Sequence, residues 1–185
     1  MRLATRLKIR RLPSPHHRDR RGREVDLIVI HHITCPPGNL ADTRDVEALF
    51  AGRLDPGKHP AYADLAGREL SAHFLIDRRG RLTQFVDTAL AAFHAGASRW
   101  HGRKGCNEFS VGIELVGTGD RPFTARQYAT LARLCRDLMH AHPGITPARI
   151  VGHSQVATPS GRKVDPGPSF DWARFRRDLA ALSRA

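Results

Sequence analysis

Leu27-Ile28-Val29-Ile30-His31 is four apolar residues, three of them β-branched, ending on an imidazole. A short apolar run of this kind reads as a buried strand, and Pro36-Pro37-Gly38 stops it and opens a loop. Working outward, Ser110-Val-Gly-Ile-Glu-Leu-Val116 reads as a second strand with Gly117 after it, and Ile150-Val151-Gly152 as a third, leading into His153. Ala72–Asp77 and Leu82–Val86 are predicted as two strands of a hairpin turned through Arg78-Arg79-Gly80-Arg81. Asp45–Leu54 has helical character and ends before the turn signal Asp55-Pro56-Gly57. The clearest helix starts after Thr124, because Thr124 and Gln127 have capping-box spacing. Tyr128, Leu131, Leu134, Cys135, Leu138 and Met139 then fall on one face, and Pro143-Gly144 ends it. A second amphipathic helix runs from about Asp171 to Leu182. Strands mixed with helices that pack across them predict an α/β sheet domain.

At 185 residues the chain fits one domain with a real core. No apolar run approaches the ~18 residues of a membrane span, which excludes an integral helical membrane protein. The 30 Lys/Arg against 18 Asp/Glu give +12, and this leaves nucleic acid, a membrane surface or an acidic small ligand open. The charge is uneven: residues 1–24 carry nine Lys/Arg against Asp19 and Glu24, so +7 of the +12 lies in this arm. The plain expectation for such an arm is a solvated basic stretch. No apolar h-region follows its charges, so it does not read as a secretory signal. Cys35, Cys106 and Cys135 are too few and too scattered for a disulfide framework. A reducing cytoplasm is the consistent compartment.

His31 and His153 each end a strand, and Asp165 lies in a Pro/Gly-rich loop just beyond. Two imidazoles and a carboxylate suit Zn²⁺ with a fourth position open. Spacing alone is a weak signal, and it also fits His31 as a hydrogen-bonded core histidine and Asp165 as a turn cap before Pro166. Glu114 interrupts an apolar strand: it either faces solvent by the period-2 alternation or is buried with a task. Lys163, one of four lysines beside 26 arginines, fits a carbonyl-polarising role or a solvated loop position.

Ordered blocks along the chain carry a family resemblance. They are Pro13-Ser14-Pro15-His16-His17, Val29-Ile30-His31, Pro36-Pro37-Gly38, Ala48-Leu49-Phe50, Ser71-Ala72-His73, His94-Ala95-Gly96, Cys106-Asn107, Gly112-Ile113-Glu114-Leu115, Gly152-His153 and Asp165-Pro-Gly-Pro-Ser-Phe-Asp-Trp172. From about Leu12 to Arg176 the chain resembles the cytoplasmic anhydro-N-acetylmuramoyl-L-alanine amidases of bacterial cell-wall recycling (the AmpD type). These belong to the zinc amidase and peptidoglycan recognition protein superfamily. The resemblance implies a single α/β domain over 12–185 with a central mixed β-sheet flanked by helices, preceded by a basic arm at 1–11. It implies His31, His153 and Asp165 as Zn²⁺ ligands, Glu114 as the residue handling the proton of the attacking water, and Lys163 as stabiliser of the tetrahedral intermediate. His32 faces away from His31 if the pleat persists and is assigned to substrate contact or ligand support. His94, Ala95 and Gly96 are assigned to the substrate groove, and Asn107 to substrate contact; His73 is not carried over as a ligand. The implied substrate is an anhydro-muropeptide, met by a monomer with no specific nucleic acid or membrane partner. An amidase for intact peptidoglycan and a non-catalytic peptidoglycan-binding module are the competing readings. The chain departs from the family pattern in a longer connection at Ser154–Arg162, and in Glu69 and Gly105 where the family tends to place basic substrate contacts.

Overall fold

The computed structural model describes residues 7–65 and 67–182. The strands in chain order are β1 (Ile9–Arg11), β2 (His17–Asp19), β3 (Leu27–Ile33), β4 (Phe74–Ile76), β5 (Leu82–Gln84), β6 (Leu90–Ala92), β7 (Arg99–Trp100), β8 (Arg103–Lys104), β9 (Ser110–Val116) and β10 (Ile150–Gly152). The helices are α1 (Arg44–Phe50), α2 (Ala125–Ala141), the short α3 (His153–Val156) and α4 (Trp172–Leu182). Six strands form one mixed sheet in the order β1-β5-β4-β9-β3-β10. Only the β4–β5 hairpin is antiparallel, and the other four pairings are parallel. The α/β class with a central mixed sheet is the one the sequence predicts.

Alternation along the strands divides the residues between two faces. Ile28, Ile30, Phe74, Ile76, Val111, Ile113, Leu115 and Ile150 pack with α2 and α4 in one apolar core. Val29, Val151, Leu75 and Val116 point to the opposite face, under α1 and the long loops. With both faces covered, every residue of β9 is buried, Glu114 included. That removes the solvent-facing reading of Glu114.

The capping box forms as expected: Gln127 N–H donates to Thr124 Oγ1 at 3.1 Å, and Thr124 N–H donates to Gln127 Oε1 at 3.0 Å. Tyr128, Leu131, Leu134, Cys135 and Leu138 are buried, with Met139 partly so. A cap contributes about 1 kcal/mol, whereas each buried large apolar side chain contributes roughly 1.5–3 kcal/mol. The buried face therefore holds α2, and the cap sets where it begins. The first helix is shorter than its predicted span, ending at Phe50, because Gly52 takes a left-handed conformation at φ +67 against His16 and Pro15. The predicted Ala72–Asp77 strand narrows to Phe74–Ile76.

The arm differs from its expectation. Residues 1–6 lie outside the described residues, but Ile9–Arg11 pairs in parallel with β5 and extends the sheet. The boundary expected at residue 11 thus falls after a sheet strand. Arg20, counted in the arm as solvated, is 5% exposed. Its guanidinium donates to the carbonyls of Thr88, Asn107, Glu108 and Ser110 at 2.9–3.2 Å. Burial lowers its pKa from the usual 12.5 to about 10, against the opposing pull of Glu108. No helix among the described residues is long and apolar enough to cross a membrane.

Candidate metal centre

Strand register assembles the site. β3 and β9 run parallel with His31 opposite Glu114, so both side chains emerge on the same face. β10 pairs with β3 on the other side with Gly152 opposite Ile30, which delivers His153 beside His31. The chain returns at Asp165 and closes the third side. His31 Nδ1, His153 Nδ1 and Asp165 Oδ2 form a triangle with edges of 3.1, 2.9 and 3.0 Å. All three residues are buried.

The donor chemistry fits a cation. His153 Nε2 lies 3.1 Å from the Ala95 carbonyl, which only accepts, so the neutral ring carries its proton there. Its Nδ1 is then a lone pair facing a carboxylate oxygen. Lone pairs converging at 3 Å are unfavourable unless a positive charge sits among them. Tetrahedral Zn²⁺ with bonds of 2.0–2.1 Å places donors about 3.4 Å apart, close to the observed triangle. Burial lowers His31 from 6.5 to about 4, with Asp165 opposing, which keeps the ring unprotonated at neutral pH.

A cleft of about 500 Å³ opens over the triangle, lined by His31, Glu114, His153, Arg162, Lys163 and Asp165 among others. Burial, reinforced by Asp165, raises Glu114 well above the ordinary carboxylate value while Lys163 opposes. Glu114 Oε2 has no hydrogen-bond partner. Lys163 is exposed at the cleft rim. A larger hollow of about 780 Å³ lies at the far sheet edge beside β1. Its Arg10 and Arg81 are paired with Glu47 and Asp77, and the His/His/Asp cluster is not in it.

The family model described as N-acetylmuramoyl-L-alanine amidase (Amidase_2) matches residues 21–168. The chain belongs to the N-acetylmuramoyl-L-alanine amidase family. Among its relatives, the 1,6-anhydro-N-acetylmuramyl-L-alanine amidase AmpD of Salmonella typhimurium SL1344 is 44% identical over 178 residues, covering 96% of this chain and 92% of that one. A crystal structure of a Se-Met AmpD derivative superposes with a TM-score of 0.88 at 43% identity, covering 96% of each chain. Escherichia coli AmiD, in complex with anhydro-N-acetylmuramic acid-L-Ala-D-γ-Glu-L-Lys, gives a TM-score of 0.61 at 26% identity, covering 95% of this chain and 62% of that one. This is an amidase of the AmpD type.

In this amidase the remaining residues expected at the site are dispersed. His32 falls by strand alternation on the same face as Ile30, beside Gly119, with its Nδ1 buried without a partner, and it is among the residues lining the cleft. His94 lines the cleft with its Nδ1 3.0 Å from His31 Nε2. Ala95, Gly96 and Asn107 are not among the residues lining the cleft. Ala95 is buried, with its carbonyl turned to His153 and Arg162. Gly96 lies beneath the Arg162 guanidinium. Asn107 Oδ1 accepts the backbone N–H groups of His94 and Ala95 at 3.2 and 2.8 Å. Ala95 meets His153 through its backbone carbonyl and Asn107 meets backbone amides through its side chain, so neither contact is a side-chain pairing that residue identity announces. Sequence reading also missed Arg162, whose side chain bridges the carbonyls of Ala95, Ala97 and Thr158. Its one signal was its position directly before Lys163.

Proposed function

We propose that this chain is a zinc-dependent amidase that hydrolyses the amide between anhydro-N-acetylmuramic acid and L-alanine in muropeptides, acting as a cytoplasmic monomer in cell-wall recycling. The carrying observation is the His31/His153/Asp165 triangle with Glu114 in register beside it in one cleft. The substrate class is supported by the AmpD relatives and by the muropeptide bound to Escherichia coli AmiD. Three free, buried thiols are consistent with a reducing compartment. His31, His153 and Asp165 would hold Zn²⁺, which supplies a nucleophilic water near neutral pH and Lewis-acid polarisation of the amide carbonyl. Glu114 takes the proton of the attacking water and delivers it to the departing nitrogen, since an amine leaves poorly unless protonated. Burial raises its pKa, which makes its carboxylate a stronger base toward that water. Lys163, at the rim, directs positive charge toward the developing oxyanion.

The test is mass spectrometry of products from a defined anhydro-muramyl tripeptide, with whole sacculi as a parallel substrate, before and after chelation. Release of the free tripeptide that stops with chelator and returns with zinc is expected. Cleavage of sacculi but not of the fragment overturns the substrate assignment. Turnover unaffected by complete metal removal overturns the zinc assignment.

A further inference from the structure

A neutral imidazole carries one proton, and a metal-binding ring must keep it on the nitrogen that does not face the metal. His153 meets this condition in one step, through the Ala95 carbonyl at 3.1 Å. His31 reaches a carbonyl by a longer route. Its Nε2 faces the Nδ1 of His94 at 3.0 Å, and His94 Nε2 faces Ser110 Oγ at 3.3 Å. Ser110 Oγ in turn donates to the Cys106 carbonyl at 2.5 Å. A carbonyl never donates, so the hydroxyl proton is committed to Cys106 and Ser110 offers His94 a lone pair. His94 then carries its proton on Nε2, its Nδ1 accepts, and His31 must hold its proton on Nε2. The lone pair of His31 is left on Nδ1, toward His153 and Asp165.

Resting on the assignment of His31 as a metal ligand, we propose that the chain His31–His94–Ser110–Cys106 carbonyl fixes the metal-ready tautomer of His31, with His94 and Ser110 as positioning residues. The surroundings hold His94 rigidly in this task. Asn107 Oδ1 clamps the backbone at His94 and Ala95, so one side chain secures the supports of both histidine ligands. The His94 ring also crosses directly over Gly112, where a Cβ would stand 2.4 Å from His94 Cγ. Gly112 thus leaves the gap in β9 that the ring fills, and a methyl there meets the His94 ring first and displaces it.

The test measures zinc affinity by competition with a chromophoric chelator, and the visible spectrum of the Co²⁺-loaded protein, in wild type, H94L, H94N, S110A and G112A. Melting midpoints of the chelated proteins establish folding. Outer partners of metal-bound histidines typically account for about 10–100-fold in affinity, and a loss of that size is expected in H94L and G112A with an altered cobalt spectrum. S110A loses less, in the same direction. Asn places an acceptor oxygen near the position of His Nδ1, so H94N recovers most of the affinity lost in H94L. Wild-type affinity in folded H94L overturns the proposal, as does H94N binding no better than H94L, which would make His94 a spacer. Where H94L does not fold, S110A decides: affinity equal to wild type overturns the chain. Wild type that takes up no zinc overturns the metal assignment itself, a result distinct from all of these.

Discussion

The two faces of the central sheet are built from alternate residues of the same strands and obey opposite rules. Toward α2 and α4, Ile28, Ile30, Val111, Ile113 and Leu115 form an apolar interior. Toward the cleft the same two strands present His31, Ser110 and Glu114, all buried. The apolar face is stabilised by area removed from water, which is nondirectional and tolerant of small errors. The polar face must satisfy each donor and acceptor, and Glu114, which lines the cleft, keeps one carboxylate oxygen without a protein partner. One strand therefore carries stability and chemistry at once, a residue apart.

Four measurements sharpen this contrast. Glu114→Ala removes a carboxyl with an unpartnered oxygen from the cleft face. Turnover is expected to fall about 100- to 10,000-fold with zinc content unchanged, read by steady-state kinetics and metal analysis. Equal activity would strip Glu114 of its role. On the other face, Leu131→Ala is expected to cost about 2–5 kcal/mol in denaturant unfolding while the rate per folded molecule stays constant. A matching drop in rate would show that the faces are coupled.

The third measurement follows from His73, buried against Arg20, Leu90 and Gly112, with the His94 ring meeting it edge-on. Burial first and then Arg20 lower its pKa from 6.5 to about 3. The unfolded chain protonates this residue below about pH 6.5 and the folded chain does not until about pH 3. Its contribution is thus complete above 6.5 and lost as pH falls between those values. His73→Gln should flatten the acid limb of unfolding free energy against pH by up to ~1.4 kcal/mol per pH unit; an unchanged limb refutes it. The smallest effect belongs to the apolar side, where Thr124→Ala should cost about 1 kcal/mol, measured as a shift in urea midpoint with no kinetic change.

Legibility in the sequence follows the same division. Tyr128, Leu131, Leu134, Cys135 and Leu138 repeat with helical period, so α2 and its buried face could be read directly. The strands at Ser110–Val116 and Ile150–Gly152 have the predicted bounds. His31, His153 and Asp165 are spread over more than 130 residues; strand-end and loop positions suggest them as a set, the family resemblance singles that set out, and strand register brings them together. Arg20 could not be told from its basic neighbours, because its partners are carbonyls from four distant residues. Ala95 acts through a backbone oxygen, and the Asn107 side chain accepts from distant backbone amides, so neither partner is one that residue types would reveal.

The fastening around Arg162 has a consequence in time. Its guanidinium ties Ala95 and Ala97 to Thr158, Thr158 N–H donates to the Ala97 carbonyl, and Ser98 bridges to Ala157. The turn behind the histidine supports and the loop leading to Asp165 are thereby one cooperative unit, although some sixty residues separate them in the chain. Amide protons on both sides are therefore expected to exchange with solvent at one shared opening free energy, with the loop that carries Asp165 opening together with the turn at residues 95–98.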